Sequence, residues 1–220
     1  ETVLGRRRAS ISGLVRLGVT TAFGLYLTKR LGELLERHPD LSVELVMRDS
    51  FGDLVEEGLD LAVRVGDIAE GSLIARKLGS VRKWLVASPA CLKRCGTPEH
   101  PRDLPEYPAI VYNYGGGRQD WNFYREEEES VIAPSTVFRA NSSEAVYYAV
   151  GADIGIGLLP EFLVREDVKA GKLVRLFSDW KIPVLPFYAV HTGPRTLPLR
   201  TRTVLDFLIE VSSDVLKEDR

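Results

Sequence analysis

The sequence has no long apolar run, little cysteine and no excess of basic charge. None of its apolar stretches approaches the roughly 20 residues that a membrane-spanning helix needs. Lysine and arginine total 29 against 31 aspartates and glutamates, so the formal net charge is −2. Domains that bind nucleic acid by themselves usually carry a marked basic excess. These absences exclude a helical membrane span and argue against a chain that binds DNA on its own.

Two cysteines and three histidines offer little for metal binding or covalent catalysis. Cys91 and Cys95 are four residues apart, a spacing that suits neither a disulfide within a helix nor a metal site without further ligands. We interpret them as ordinary semi-buried thiols, which weakly favours a reducing compartment. The sequence contains no Gly-x-Ser-x-Gly motif and no histidine pair at metal-ligand spacing. We therefore expect no enzyme activity, no metal and no cofactor.

The chain starts with Glu1, and its only methionine is Met47. We expect a fragment or a processed product, preceded by a signal peptide or by a whole domain. The basic stretch 5–10 is interpreted as a solvated linker in preference to a phosphate-contacting segment.

Hydrophobic periodicity divides the chain into alternating strands and helices. The predicted elements are strand 14–19, helix 23–37, strand 43–47, a short helix from a capping box at 50–53 to Gly58, strands 59–65 and 83–87, a helix from 89, strands 109–114, 121–125 and 131–138, helix 142–150, strand 154–159, a helix from 160, strands 172–177 and 187–191, and a closing helix from 198 to about 216. The initial β-α-β-α-β order is typical of a wound parallel sheet, and the second half begins a fresh sheet. We interpret the acidic run 126–130 as a solvated turn between two strands.

Two glycines at 155 and 157 have a spacing that resembles part of a nucleotide-binding loop. A dinucleotide fingerprint needs its glycines between a strand and a helix. Gly155 and Gly157 follow a helix and lie inside a predicted strand, so we reject a nucleotide site. They are interpreted as positions where backbone, or a ligand, approaches closely.

Polar side chains follow three predicted strands, at the points where helices begin. They are Thr20-Thr21, Asp49-Ser50 and Asn141-Ser142-Ser143. Backbone N–H groups at a helix start lack partners, and the helix dipole is positive there. Open α/β sheets bind ligands outside the carboxyl ends of their strands. The pattern predicts a cleft for a small polar or anionic molecule, although threonine at such a position is more often a plain helix cap.

Arg64 is a cation within the apolar run 59–65. A charge there needs either an ion-pair partner or a place in the crevice at the end of the sheet. A salt bridge and anion binding both remain open from the sequence.

The ordered set of these motifs resembles the effector-binding domain of LysR-type transcriptional regulators, from about Gly13 to Val211. The segments that carry the resemblance are Thr20-Thr21-Ala22-Phe23-Gly24, 31–45 with His38-Pro39, Leu54-Val55-Glu56-Glu57-Gly58-Leu59-Asp60-Leu61-Ala62-Val63-Arg64-Val65-Gly66, Leu85-Val86-Ala87-Ser88-Pro89, Gly155-Ile156-Gly157-Leu158-Leu159-Pro160 and the closing helix around 204–207.

The resemblance implies an α/β, two-lobed fold of the type 2 periplasmic-binding-protein kind, each lobe a wound, mostly parallel sheet flanked by helices. It divides the chain into the end of a linker at 1–12, a first lobe at 13–87, a second lobe at 88–185, a return to the first lobe at 186–214 and a tail at 215–220. An N-terminal winged helix-turn-helix would precede this chain.

The resemblance also implies a small-molecule effector between the lobes, with small organic acids among the classes expected. The candidate effector-binding residues are Thr20, Thr21, Phe23, Asp49, Ser50, Arg64, Val65, Gly66, Asn141 and Ser142. We expect a cytoplasmic homodimer or homotetramer that contacts DNA only through the missing domain. The alternative is the solute-binding protein of a transporter, against which the basic linker-like segment and the family-specific motifs argue.

Overall fold

A computed structural model describes residues 11–49, 54–68, 73–113, 119–193 and 196–215. The candidate residue Ser50 and the capping box at 50–53 lie outside the described residues, as do the three consecutive glycines at 115–117. No described helix is long and apolar enough to cross a membrane.

The first lobe is a five-stranded sheet in the order β2-β1-β3-β12-β4. Its elements are β1 (Gly13–Val19), α1 (Thr21–Arg37), β2 (Leu41–Met47), β3 (Leu61–Val65), β4 (Ile74–Val81), β12 (Leu185–His191) and α5 (Leu199–Val215). Leucines at helical spacing give α1 one apolar face, and Leu27 and Leu34 on that face are fully buried against the sheet. The main core of the first lobe therefore lies between its sheet and the helices α1 and α5, and a smaller cluster of Leu54, Leu59, Ala62 and Val190 packs on the other face of the sheet.

The second lobe is a five-stranded sheet in the order β11-β5-β10-β6-β9, with a separate β7-β8 hairpin. Its elements are β5 (Lys83–Ala87), α2 (Pro89–Cys95), a 3-10 helix (Pro101–Glu106), β6 (Ala109–Tyr112), β7 (Trp121–Arg125), β8 (Glu128–Ile132), β9 (Thr136–Ala140), α3 (Ser143–Gly151), β10 (Ile156–Pro160), α4 (Glu161–Lys169) and β11 (Val174–Leu176). Two apolar clusters, one containing Leu85 and one containing Val86, pack on opposite faces of this sheet. Alternation along β5 sends these neighbours to opposite sides.

In both sheets, most strands run toward the boundary between the two lobes and end there. In each sheet four strands run the same way, and the fifth, β12 or β5, lies inside the sheet and runs the opposite way. The pairings are thus evenly parallel and antiparallel instead of mostly parallel. The reason is that β5 and β12 each start at a crossover between the lobes and run away from it, whereas their neighbours run toward it.

The crossovers lie elsewhere than the family resemblance suggested. Val81 ends β4 in the first sheet and Lys83 begins β5 in the second, so Arg82 alone joins the lobes on this connection. We expected the first lobe to continue to residue 87. The return crossover precedes Leu185, the first residue of β12.

Several sequence expectations need correction. The predicted strand 131–138 is two strands, β8 and β9, and the acidic run is half strand, because Glu128 begins β8 and pairs with Arg125 across the hairpin. Strand β4 was not predicted, because its sequence shows no alternation of apolar and polar residues. The exposed Arg76 and Lys77 and a glycine interrupt that pattern. Residues 54–58 form turns where we expected the end of a short helix.

The glycines at 155 and 157 serve close packing. A Cβ on Gly155 would overlap the carbonyl oxygen of Pro108, which accepts the Ile156 N–H at 2.8 Å. A Cβ on Gly157 would lie 2.7 Å from a methyl carbon of Val150. Both glycines therefore let β10 approach its neighbours.

Candidate functional site

A cavity of about 590 Å³ opens between the two lobes. The ends of five strands reach it: Thr20 follows β1, Val65 and Val81 end β3 and β4, and Tyr112 and Pro160 end β6 and β10. These residues come from both sheets, so any molecule bound there would contact both lobes. A cavity of this size accommodates a small organic ligand.

The walls of the cavity are mostly apolar, with polar groups at a few points. The apolar residues are Ala22, Val63, Val65, Ile68, Leu73, Val81, Leu158, Pro160, Phe162, Leu185 and Phe187. The polar residues are Thr20, Asp49, Arg64, Asp67, Lys83, Tyr112, Gln119 and Ser143. This combination is typical of pockets that bury an apolar ligand body and orient it through few polar contacts.

Asp49 caps the start of α1. Its Oδ1 accepts the backbone N–H of Thr21 at 2.8 Å. Thr20 occupies the N-cap position, but its side chain makes no capping hydrogen bond. The plain-cap interpretation of Thr20 is therefore wrong, and Thr20 lines the cleft without that role.

Asp49 also connects the two lobes. Its Oδ2 accepts the backbone N–H of Ser143 at 3.2 Å and the Ser143 hydroxyl at 3.4 Å. Ser143 begins α3 in the second lobe. One carboxylate thus bridges the N-termini of two helices on opposite sides of the cleft, where the positive ends of both helix dipoles favour a negative charge.

The other predicted site residues fall into two groups. Arg64 and Val65 line the cavity, whereas Gly66, Asn141 and Ser142 do not. Gly66 has a positive φ of 94° and donates its N–H to the carbonyl of Pro186. The Ser142 hydroxyl accepts the N–H of Ala145 as the N-cap of α3, so the next residue, Ser143, is the one that meets the cleft.

Phe23 does not face the cavity. Its side chain has no exposed surface, and its ring packs edge-on against Phe187 with 4.8 Å between the ring centroids. The ring of Phe162, on α4 of the second lobe, lies 6.5 Å from it. The expectation that Phe23 lines the cleft is therefore wrong. Phe23 packs behind Phe187, which does line the cavity.

Lys83 and Phe162 line the cleft and were missed from the sequence. Ser143, which also lines it, belongs to the predicted helix-start motif but was not among the candidate effector-binding residues. Lys83 is half-buried, and burial lowers the pKa of its ammonium group. The sequence did contain a signal for Lys83, because this cation begins the apolar strand Lys83-Trp84-Leu85. A cation at that position lies near the end of a sheet. Nothing local distinguishes Phe162 from a core aromatic residue.

The two cysteines lie on α2, away from the cavity. Cys91 is buried and Cys95 is half-buried, and both are free thiols, as expected. Burial raises the pKa of Cys91, which keeps this thiol protonated and unreactive. Within the described ranges, no cluster of histidine, cysteine, aspartate and glutamate is arranged to hold a metal ion.

Two α/β lobes, joined by crossovers at the floor of a ligand-sized cleft, define a domain of the type 2 periplasmic-binding-protein-like class. Residues 8–213 match the family described as the LysR substrate binding domain, and the chain belongs to this family.

Relatives and solved structures agree with this assignment. The transcriptional regulator PtxR of Pseudomonas aeruginosa is 32% identical over 176 residues, which cover 80% of this chain and 56% of PtxR. The regulatory domain of CrgA from Neisseria meningitidis, a LysR-type regulator, superimposes with a TM-score of 0.82 at 29% identity, covering 90% of this chain and 98% of that domain. Full-length AphB, a virulence activator of Vibrio cholerae, superimposes with a TM-score of 0.79 at 28% identity, covering 92% of this chain and 69% of AphB. The family match does not favour the transporter alternative.

Proposed function

We propose that this chain is the effector-sensing and oligomerisation domain of a bacterial LysR-type transcription regulator that acts in the cytoplasm. The observation that carries the proposal is the cleft, to which both lobes contribute polar groups around apolar walls. An effector that contacts both lobes binds one lobe arrangement better than another and shifts the population toward it. In a homodimer or homotetramer, that shift changes the separation of DNA-binding domains attached to the chain.

Effector binding is tested by a thermal-shift screen against small carboxylates, aromatic acids, amino acids and sugars. A ligand at 100 times its dissociation constant stabilises the folded state by about 2.7 kcal/mol, which is readily measured. We expect a hit without turnover of the ligand. Sedimentation of the same protein tests self-association, and a strictly monomeric chain at all concentrations would contradict the oligomerisation part.

The polar cleft residues proposed to contact the effector are Thr20, Arg64 and Ser143, with Asp49 holding the two helix starts. Arg64 is half-buried within the lining of the cavity. Ser50 stays a candidate from the sequence. Asn141, Ser142 and Gly66 are expected to act only by shaping the loops that hold these residues.

Replacing Thr20 by valine should weaken effector binding about 3- to 10-fold, the value of one hydrogen bond. The substitution removes the hydroxyl and keeps the side-chain volume. Because that hydroxyl makes no capping bond, the melting temperature without ligand should stay within a degree or two of the wild type. Calorimetry with a hit from the screen measures the affinity.

A Thr203→Val variant is the matched control, since Thr203 lies on α5 outside the cavity lining and its hydroxyl donates to the Leu199 carbonyl of the same helix. Equal affinities of the Thr20→Val and Thr203→Val variants would remove Thr20 from the site.

The isolated chain is expected not to bind duplex DNA specifically. Its net charge of −2 gives no basic surplus for phosphate contacts. A gel-shift titration at 50 and 200 mM salt checks this, and a sequence-selective shift that resists the higher salt would contradict the separation of DNA binding from this chain.

A further inference from the structure

Lys83 lies where the chain crosses from the first lobe to the second. It is the first residue of β5 and is paired with Pro160 of β10. The preceding residue, Arg82, forms an ion pair of 2.7 Å with Glu161 at the start of α4. Neighbours on an extended chain point to opposite sides, so Arg82 is committed to α4 while the Lys83 side chain lines the cleft.

Among the described residues, four charged side chains line the cleft, and they differ in the partners that they already have. Both oxygens of Asp49 accept hydrogen bonds from helix starts. Asp67 is exposed to water at the rim, and Arg64 has an interaction of its own. In the part of the chain that the structure describes, the ammonium group of Lys83 has neither a hydrogen-bond nor an ion-pair partner.

An unpaired, half-buried cation costs free energy, which a bound anion would recover. Burial lowers the pKa of Lys83, and no nearby carboxylate of the described residues offsets that shift. Because no described residue neutralises Lys83, a bound anion would be stabilised at this point of the cleft.

The surroundings of Lys83 are apolar. Val81 precedes it by two residues on the same side of the chain, and Leu158, Pro160 and Phe162 line the cavity from β10 and α4. These walls bury hydrocarbon surface, while a sugar or another polyhydroxylated molecule would leave hydroxyls without partners against them.

We propose that Lys83 binds the carboxylate of the effector, and that the effector is a small monocarboxylic acid with an apolar body held against Leu158 and Phe162. This inference rests on the proposed function and specifies its ligand class. In this proposal Lys83 makes the cleft selective for negatively charged ligands. The ligand carboxylate would therefore bind at the crossover that joins the two lobes.

The test compares acids with their neutral amides in calorimetric titrations. The probes are benzoate and benzamide, and hexanoate and hexanamide, each pair having nearly the same size and apolar surface. The proteins are the wild type, Lys83→Met, and Lys77→Met as the matched control, because Lys77 is exposed on β4 outside the cleft.

For at least one acid, we expect a dissociation constant at least 10-fold lower than that of the matching amide. This should hold for both the wild type and Lys77→Met. Lys83→Met should lose that preference while binding the amide as the wild type does. An acid that binds Lys83→Met as tightly as the wild type overturns the assignment of Lys83. Tight binding of sugars or amines with no response to the acids overturns the ligand class but leaves the proposed function standing, whereas the absence of any ligand across the wider screen overturns both.

Folding of the variant is controlled by its stability without ligand. Lys83→Met removes a half-buried charge, so it should unfold no earlier than the wild type at neutral pH. A lysine whose pKa is lowered in the folded state destabilises the fold below that pKa, and the penalty disappears as the pH rises toward the ordinary value of 10.5. The stability difference between the two proteins should therefore narrow with rising pH over that interval.

Discussion

Replacing Phe23 by alanine should lower the free energy of unfolding by about 3–5 kcal/mol, the usual cost of truncating a buried phenylalanine. Its side chain has no exposed surface and packs against Phe187, Tyr26 and Phe162. Alanine would leave a cavity at the point where α1, the first sheet and α4 meet. Because typical domains are stable by only 5–15 kcal/mol, this single change would remove much of the margin.

Urea unfolding with a fitted slope measures the effect of Phe23→Ala. Val137→Ala is the control, since Val137 is 58% exposed on β9 and its truncation should change stability by less than about 0.5 kcal/mol. A loss below 1 kcal/mol for Phe23→Ala, together with loss of effector binding, would instead return Phe23 to the ligand site that the sequence suggested.

Replacing Asp49 by alanine should lower the free energy of unfolding by about 1–3 kcal/mol, the range for losing a helix cap and its charge-assisted hydrogen bonds. The N–H groups of Thr21 and Ser143 would lose their shared acceptor. Since those two residues belong to different lobes, the variant should also populate more open lobe arrangements.

Urea unfolding gives the stability of Asp49→Ala, and small-angle X-ray scattering gives its radius of gyration. Asp67→Ala is the matched control, because Asp67 also lines the cleft but is exposed at its rim. We expect an increased radius for Asp49→Ala alone. Identical scattering of both variants and the wild type would show that the Asp49 bridge does not hold the lobes together.

Features that depend on short-range interactions could be predicted from the sequence. The leucine spacing of α1, the apolar run of β3 and the serine cap of α3 each depend on interactions within a few residues, so they can be read along the chain. The hydroxyl of Thr20 was predicted at the cleft for the same reason, because a strand end followed by a helix start is a local signal.

The direction of each strand was less predictable. Strands β5 and β12 look like ordinary apolar strands, yet each runs against its neighbours because it leaves a crossover. Whether a strand runs toward or away from the cleft depends on which sheet it joins, and this depends on contacts distant in sequence.

The sequence by itself determined the two-lobed α/β class, the family, most helices and strands, and a cleft with polar helix starts. Only the tertiary structure decided which side chains meet there: Asp49 joins Ser143 across 94 positions, Lys83 faces the cleft, and Phe23 turns into the core. The physical reason is range. Backbone hydrogen bonds and side-chain periodicity act over a few residues, whereas a binding site is assembled by packing between elements that the sequence keeps far apart.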